Sequence, residues 1–434
     1  MSRTIRVDHL ARVEGHGGIT VELDEKGVSA VRFDVFEGAR LLEALVRGRS
    51  FEDISQIVSR ICSICSAAHS LTSIKATENA FGIRPSRQTE LLRDLLFRGE
   101  SIESHALHLF CLAVPDYLNY PGVAALAADH PEAALLGLRL KKLGNSIQEI
   151  IGGRAVHPVN AVVGGFGKLP ELDQLIALRD ELRRAVEDCG AVLDLAASLP
   201  PAEFCHSETA FAALRCEGDY GYYSGDQIAV LANGTAKDFA AADYRSLANE
   251  RPVPHSHAKH SLFDGRPFMV GALARLTVNS AKLDGRLAPA MEKLGLTLPS
   301  SNPMDNNKAQ AIELVFDIEY ALGIVERLLA EGLEEKNRIP VRPRAGTGTA
   351  VTEAPRGLLI HSYTYDDQGK LIAADVITPT ALNAASIEEH MRRTVEQNPG
   401  DCDRALTKKL EMVARAYDPC VSCSVHLVRM RHAD

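Results

Sequence analysis

Two C-x-x-C pairs, Cys62/Cys65 and Cys420/Cys423, stand 358 positions apart at opposite ends of a 434-residue chain. Residues three apart in a helix or tight turn lie on one face, so each pair can present two thiolates to one point. Thiolates select soft metals: zinc, iron–sulfur clusters, copper(I) or nickel. A structural zinc site usually joins its pairs across roughly 12–20 residues. A site drawn from both ends of a large domain is a costly staple but suits a buried active centre; a zinc scaffold remains the alternative. The other five cysteines, Cys111, Cys189, Cys205, Cys216 and Cys402, are scattered and read as packing or surface residues. An odd total argues against a disulfide framework.

The remaining composition narrows the class. Hydrophobic residues make up 46% and charged residues 24%, as in an ordinary globular chain. The net charge of −9, without a long Lys/Arg run, disfavours nucleic-acid binding. No apolar stretch reaches the roughly 18 residues of a transmembrane span, and MSRTIRVDHLARVEGHGG has no apolar signal core. A cytoplasmic enzyme is expected.

Patterning divides the chain. Residues 1–37 alternate as strands around the turn EKG. Residues 38–200 are helical, with continuous runs predicted over 51–81, which holds the first cysteine pair, and over 86–114. Residues 201–270 form a mixed excursion in which HSHAKH, 255–260, reads as a polar loop rather than a metal site. Residues 271–434 return to helices, with a hairpin around DDQGK and a final helix ending before Asp418-Pro419. The expected fold is one large, mainly α domain with small β elements around a helix-bundle core.

Motifs around the cysteines carry a resemblance. Arg12-Val13-Glu14-Gly15-His16-Gly17, Arg60-Ile61-Cys62-Ser63-Ile64-Cys65 followed by His69, and Asp418-Pro419-Cys420-Val421-Ser422-Cys423-Ser424-Val425-His426 resemble signatures of the nickel–iron hydrogenase large subunit. Shorter matches lie between them, in the family's order: Gly153-Arg154-Ala155-Val156-His157-Pro158, Ala354-Pro355-Arg356-Gly357 and Thr378-Pro379-Thr380.

The resemblance implies a nickel held by four thiolates, two of them bridging to an iron that carries carbon monoxide and cyanide. Cys62 and Cys420 would be the terminal ligands, Cys65 and Cys423 the bridging ones. Soft, strongly donating thiolates suit this centre, and heterolytic splitting of dihydrogen needs a Lewis-acidic metal beside a base for the proton. By the same resemblance Glu14 starts the proton path; pairing with Arg12 is its alternative role. Glu43 and His426 would bind a magnesium ion, which takes oxygen ligands and keeps several waters. Arg356 and Thr380 would donate hydrogen bonds to the diatomic ligands of the iron, and His69 to a bridging sulfur. Asp116 and Asp418 would orient Arg356 or its neighbours.

Family large subunits carry a C-terminal extension removed after the position of His426; here Leu427 to Asp434 follow, and both a short removable tail and an uncleaved chain stay open. The chain shows no further cluster pattern of cysteines, no G-x-G-x-x-G and no flavin motif. The resemblance therefore implies a hetero-oligomer: an iron–sulfur small subunit, flavin-containing diaphorase subunits coupling hydrogen to NAD(P), and maturation proteins. A quinone-reductase-type respiratory subunit of related fold is the competing class, and retention of all four cysteines argues against it.

Overall fold

The computed structural model describes residues 3–37, 41–215, 220–280, 285 and 287–425. The chain opens as a three-stranded antiparallel sheet, Arg3–Val7, Gly17–Asp24 and Gly27–Val35. Its register sets Ile5 opposite Val21 and Val21 opposite Val31. Alternation then turns Ile19, Val21, Phe33 and Val35 into the core, where they are fully buried.

Long helices make the body, among them Ser66–Phe81, Arg87–Ala106, Pro131–Gly152, Leu172–Ser198 and Asp305–Glu331. Arg87–Ala106 lies against both Pro131–Gly152 and Asp305–Glu331, and Asp305–Glu331 packs in turn on Leu172–Ser198. The first crossing is close because two glycines meet there. A Cβ on Gly144 would come within 2.5 Å of the Gly99 carbonyl and the Glu103 amide, distances no side chain tolerates. The fold is thus mainly α with small sheets.

Two of the predicted helical runs are interrupted, each for a local reason. Over 51–81 the structure gives a helix Phe51–Val58, a 3-10 turn Ser59–Ile61, an extended Cys62 and a new helix from Ser66. The new helix leaves unpaired amides at its start, and the Glu100 carboxylate accepts from Ala67 and Ala68 at 2.6 and 2.9 Å. Over 86–114 the helix widens to a π-helix at Leu107–Ala113 before Val114–Tyr117. Pro115 lacks an N–H and its ring excludes the carbonyl four residues back, so a regular α pattern cannot pass.

A strand that sequence patterning did not predict, Gly346–Ala354, pairs with Gly357–Tyr365, which pairs with Leu371–Ile377; Ser66–Phe81 packs on this sheet. The predicted polar loop at 255–260 is corrected as well. Ser256–His260 is a strand paired with Arg251–Val253, and the turn between them holds His255. Among the described residues no helix is long and apolar enough to cross a membrane.

Candidate metal centre

The break after Ile61 frees Cys62 and Cys65 from helical geometry and lets both thiols face one way. Cys65 sits at the N-cap, where the His69 amide donates to its carbonyl at 3.1 Å. At the other end, the helix Asp403–Ala416 stops and Asp418 turns the chain with φ +51°. A 3-10 turn, Val421–Ser424, follows, so Cys420 and Cys423 are again three apart on one side. The N-terminal motif is laid against this turn: Glu14 bridges Cys420 in parallel, and the Val421 amide donates to the Glu14 carbonyl at 2.8 Å. Gly15 permits the approach. It has φ +88°, and a Cβ there would stand 2.7 Å from the Ser422 amide.

The four sulfurs meet. Cys62 and Cys420 are 3.1 Å apart, Cys65 and Cys423 3.5 Å, and Cys420 and Cys423 2.9 Å, with all four Sγ atoms within 4.8 Å of one another and buried. Burial drives the Cys420 and Cys423 thiols well above the ordinary thiol range. For Cys62 burial acts the same way, but hydrogen bonds from the thiols of Cys420, Cys423 and Cys65 outweigh it and bring this thiol well below that range. A bound cation would deprotonate the whole set, since coordinating thiols lose their protons outright. Four sulfurs at this spacing suit a soft metal, for which bonds of ~2.3 Å are typical.

A second observation supports occupancy by a group with its own acceptors. Arg356 is buried and held from one side, its Nε donating to the Asp418 carbonyl at 2.8 Å and its Nη2 to the Asp418 carboxylate at 2.9 Å. Its Nη1 is buried and has no hydrogen-bond partner. Cys420, Cys65 and Cys62 all lie close enough to act on this guanidinium electrostatically. A donor so placed suits hydrogen bonding to ligands on a metal held by the cysteines.

The other candidate residues fall into place unevenly. Glu14 is not paired with Arg12, whose guanidinium contacts the Leu112 carbonyl and Asp116. Glu14 instead accepts from the Cys420 thiol at 3.1 Å and from the Ser422 amide and hydroxyl. Asp116 holds Arg12 and Arg415 rather than Arg356, whereas Asp418 does hold Arg356. The Thr380 hydroxyl oxygen accepts from the Cys420 amide at 2.9 Å, which leaves its own proton to donate. His69 Nδ1 lies 3.1 Å from His361 Nε2, and His361 Nδ1 lies 2.6 Å from the Tyr363 hydroxyl. Glu43, on the short helix Leu42–Val46, accepts from the Val376 amide at 2.8 Å. His426 lies outside the described residues.

Ser422, His361 and Glu100 were missed. Ser422 sits inside the second C-x-x-C, where a hydroxyl between two ligands was a readable cue. His361 and Glu100 arrive from other elements and left no signal near the cysteines.

Four buried sulfurs facing the one unmatched nitrogen of Arg356 define a soft-metal thiolate centre, and similarity says which metal. The family profile described as nickel-dependent hydrogenase matches residues 40–143 and 215–426, and one described as HoxL-like matches 4–37. The chain belongs to the nickel-dependent hydrogenase family, as a catalytic large subunit of the nickel–iron type. It is 41% identical to the alpha chain of sulfhydrogenase 1 of Pyrococcus furiosus over 98% of both chains. It is 36% identical to the alpha chain of sulfhydrogenase 2 of the same organism, over 98% of this chain and 100% of that one. A solved NAD+-reducing [NiFe]-hydrogenase in its H2-reduced state superposes with a TM-score of 0.86 at 29% identity, covering 98% of this chain and 99% of the other.

Proposed function

We propose that this subunit splits dihydrogen reversibly into protons and electrons, with Cys62 and Cys420 as terminal nickel ligands and Cys65 and Cys423 bridging to an iron that carries carbon monoxide and cyanide. The hydrogen bond from the Cys420 thiol to Glu14 carries this reading. When bound, the nickel–iron group supplies the Lewis-acidic metals at which dihydrogen is polarised for heterolysis. Cys420 Sγ takes up the proton and passes it to the Glu14 carboxylate. Ser422 fixes that carboxylate from two sides, so it stays aimed at the sulfur. Arg356 and Thr380 would hold the diatomic ligands, and His69 would donate to a bridging sulfur. Glu43 and His426 would bind magnesium.

Electrons leave through a partner. Apart from the four ligands, no three cysteines gather among the described residues. An iron–sulfur small subunit would receive them, and flavin-containing diaphorase subunits would pass them to NAD(P), in a cytoplasmic assembly completed by maturation proteins. The solved NAD+-reducing relative supports this acceptor.

Metal analysis with infrared spectroscopy tests the centre. Nickel and iron near one each per chain, with bands of bound carbon monoxide and cyanide, are expected; zinc alone would refute it.

A further inference from the structure

We propose that His255, His260 and Glu388 form a second metal site, separate from the four cysteines, which takes a borderline divalent ion of the zinc class and ties the hairpin 251–260 to the helix Pro379–Gln397. Three elements meet here: the turn holding His255, the end of the strand Ser256–His260, and the helix carrying Glu388. One ligand atom from each residue can be chosen so that all lie within 4.8 Å of one another.

The carboxylate is presented to both rings. Glu388 Oε1 lies 2.7 Å from His255 Nε2, and Oε2 lies 3.9 Å from His260 Nδ1. The Phe33 amide donates to Oε1 at 2.8 Å and fixes the rotamer from the N-terminal sheet. The two imidazole centroids are 5.8 Å apart and the rings nearly perpendicular, at 77°. Their nitrogens therefore approach the carboxylate from different directions.

A simple ion pair explains only part of this. One imidazolium satisfies one carboxylate, yet a second histidine is brought to the same group. His260 Nδ1 stands 3.9 Å from Oε2, too far for a hydrogen bond, so the second imidazole is brought to the carboxylate without bonding it. Neighbouring cations are engaged elsewhere: Lys259 pairs with Glu250, Arg392 donates to the Val28 carbonyl, and Arg393 pairs with Glu389 and Glu396. Two imidazoles and one carboxylate are a donor set that zinc accepts, with a fourth position left for water. Imidazole nitrogen favours zinc-class ions over magnesium or calcium, which take oxygen. Side-chain exposures of 21%, 12% and 17% leave an entry path from solvent.

The location gives such an ion a purpose. Ala258, between the two histidines, bridges to Val425, two residues beyond Cys423. An ion here would stiffen the strand on which the second cysteine segment rests.

The test uses the nickel-loaded complex, stripped with a mild chelator and titrated with zinc or cobalt(II) alone. About one zinc per chain beyond nickel and iron is expected, with a rise in Tm. Cobalt(II) should give visible d–d bands without sulfur-to-metal charge transfer. His255→Gln and His260→Gln should lose the extra ion while keeping nickel, whereas His257→Gln, on an exposed neighbour, should retain both. An unchanged zinc count in the first two variants, sulfur charge transfer to the added cobalt, or no zinc uptake by the parent complex would each overturn the proposal. If a variant fails to hold nickel, the cobalt spectrum of the parent complex decides alone.

Discussion

Glu14 and Cys420 touch across the whole length of the sequence, and the contact suits a proton more than a fold. The carboxylate's other bonds, to the amide and hydroxyl of Ser422, fix its direction and would survive replacement by an amide. Glu14→Gln therefore keeps size and most hydrogen bonds but cannot accept and release a proton near neutral pH. Nickel and iron content should stay at the parent level. Turnover and hydrogen–deuterium exchange with water should fall together by ~10²–10⁴-fold, the usual weight of a positioned acid–base group. Parallel loss of both is the informative outcome, because electron exit plays no part in the exchange. Near-normal exchange in a metal-loaded Glu14→Gln enzyme would route protons elsewhere.

The turn that aims Arg356 is held by a buried charge cluster from other elements. Arg275 donates to Glu313 and Glu353 and to the carbonyls of Ala354 and Pro355, the two residues before Arg356. Two carboxylates share this guanidinium, and burial, only partly offset by Arg275, pushes Glu353 up to about 7. The folded chain thus keeps a proton on Glu353 that the unfolded chain releases near 4.5. Stability from this group is complete below pH 4.5 and is lost as pH rises through 7, with a slope of at most about 1.4 kcal/mol per pH unit. Glu313, held down at about 2, acts in the opposite sense and only below this window. Glu353→Gln should flatten Tm against pH between 4.5 and 7; a slope equal to the parent's would mean that Glu353 is already ionised in the fold. None of this cluster was legible in the sequence. Arg275, Glu313 and Glu353 read as unremarkable charges because their partners lie 38 and 78 residues away. Periodicity found the long helices, since an apolar stripe is a local property. It ran straight through Cys62–Cys65, because the capping carboxylate that allows the break comes from Glu100 on another helix. It also passed over Gly346–Ala354, where two glycines and two alanines weaken the strand signal. The cysteines were legible because C-x-x-C spacing survives without any knowledge of the fold.

At the scale of the molecule, the centre needs a way out for electrons, and one surface loop is tied directly to it. Residues 153–160 grip both flanks of the first cysteine turn: His157 Nδ1 donates to the Ser59 carbonyl at 3.1 Å, and its amide donates to the Ser66 hydroxyl at 2.9 Å. Gln56 adds a bond to the Pro158 carbonyl at 3.3 Å. The same loop leaves Val156 and Val159 exposed at 45% and 42%. Single exposed valines are ordinary, but two on a short loop anchored beside metal ligands suit the covered centre of an interface. Placing aspartate at both positions would oblige a partner to bury two unpaired charges, which is far more costly than losing two apolar contacts. If this loop meets the iron–sulfur partner proposed above, the Val156→Asp/Val159→Asp variant should lose that partner on co-purification and lose the proposed reduction of NAD(P). Nickel, iron and hydrogen–deuterium exchange should persist, because the cysteines, Glu14 and Ser422 are untouched. That pattern is the reverse of Glu14→Gln, where the assembly stays whole and exchange fails. A double variant that still binds its partner and reduces NAD(P) normally would move the electron exit to another face of the protein.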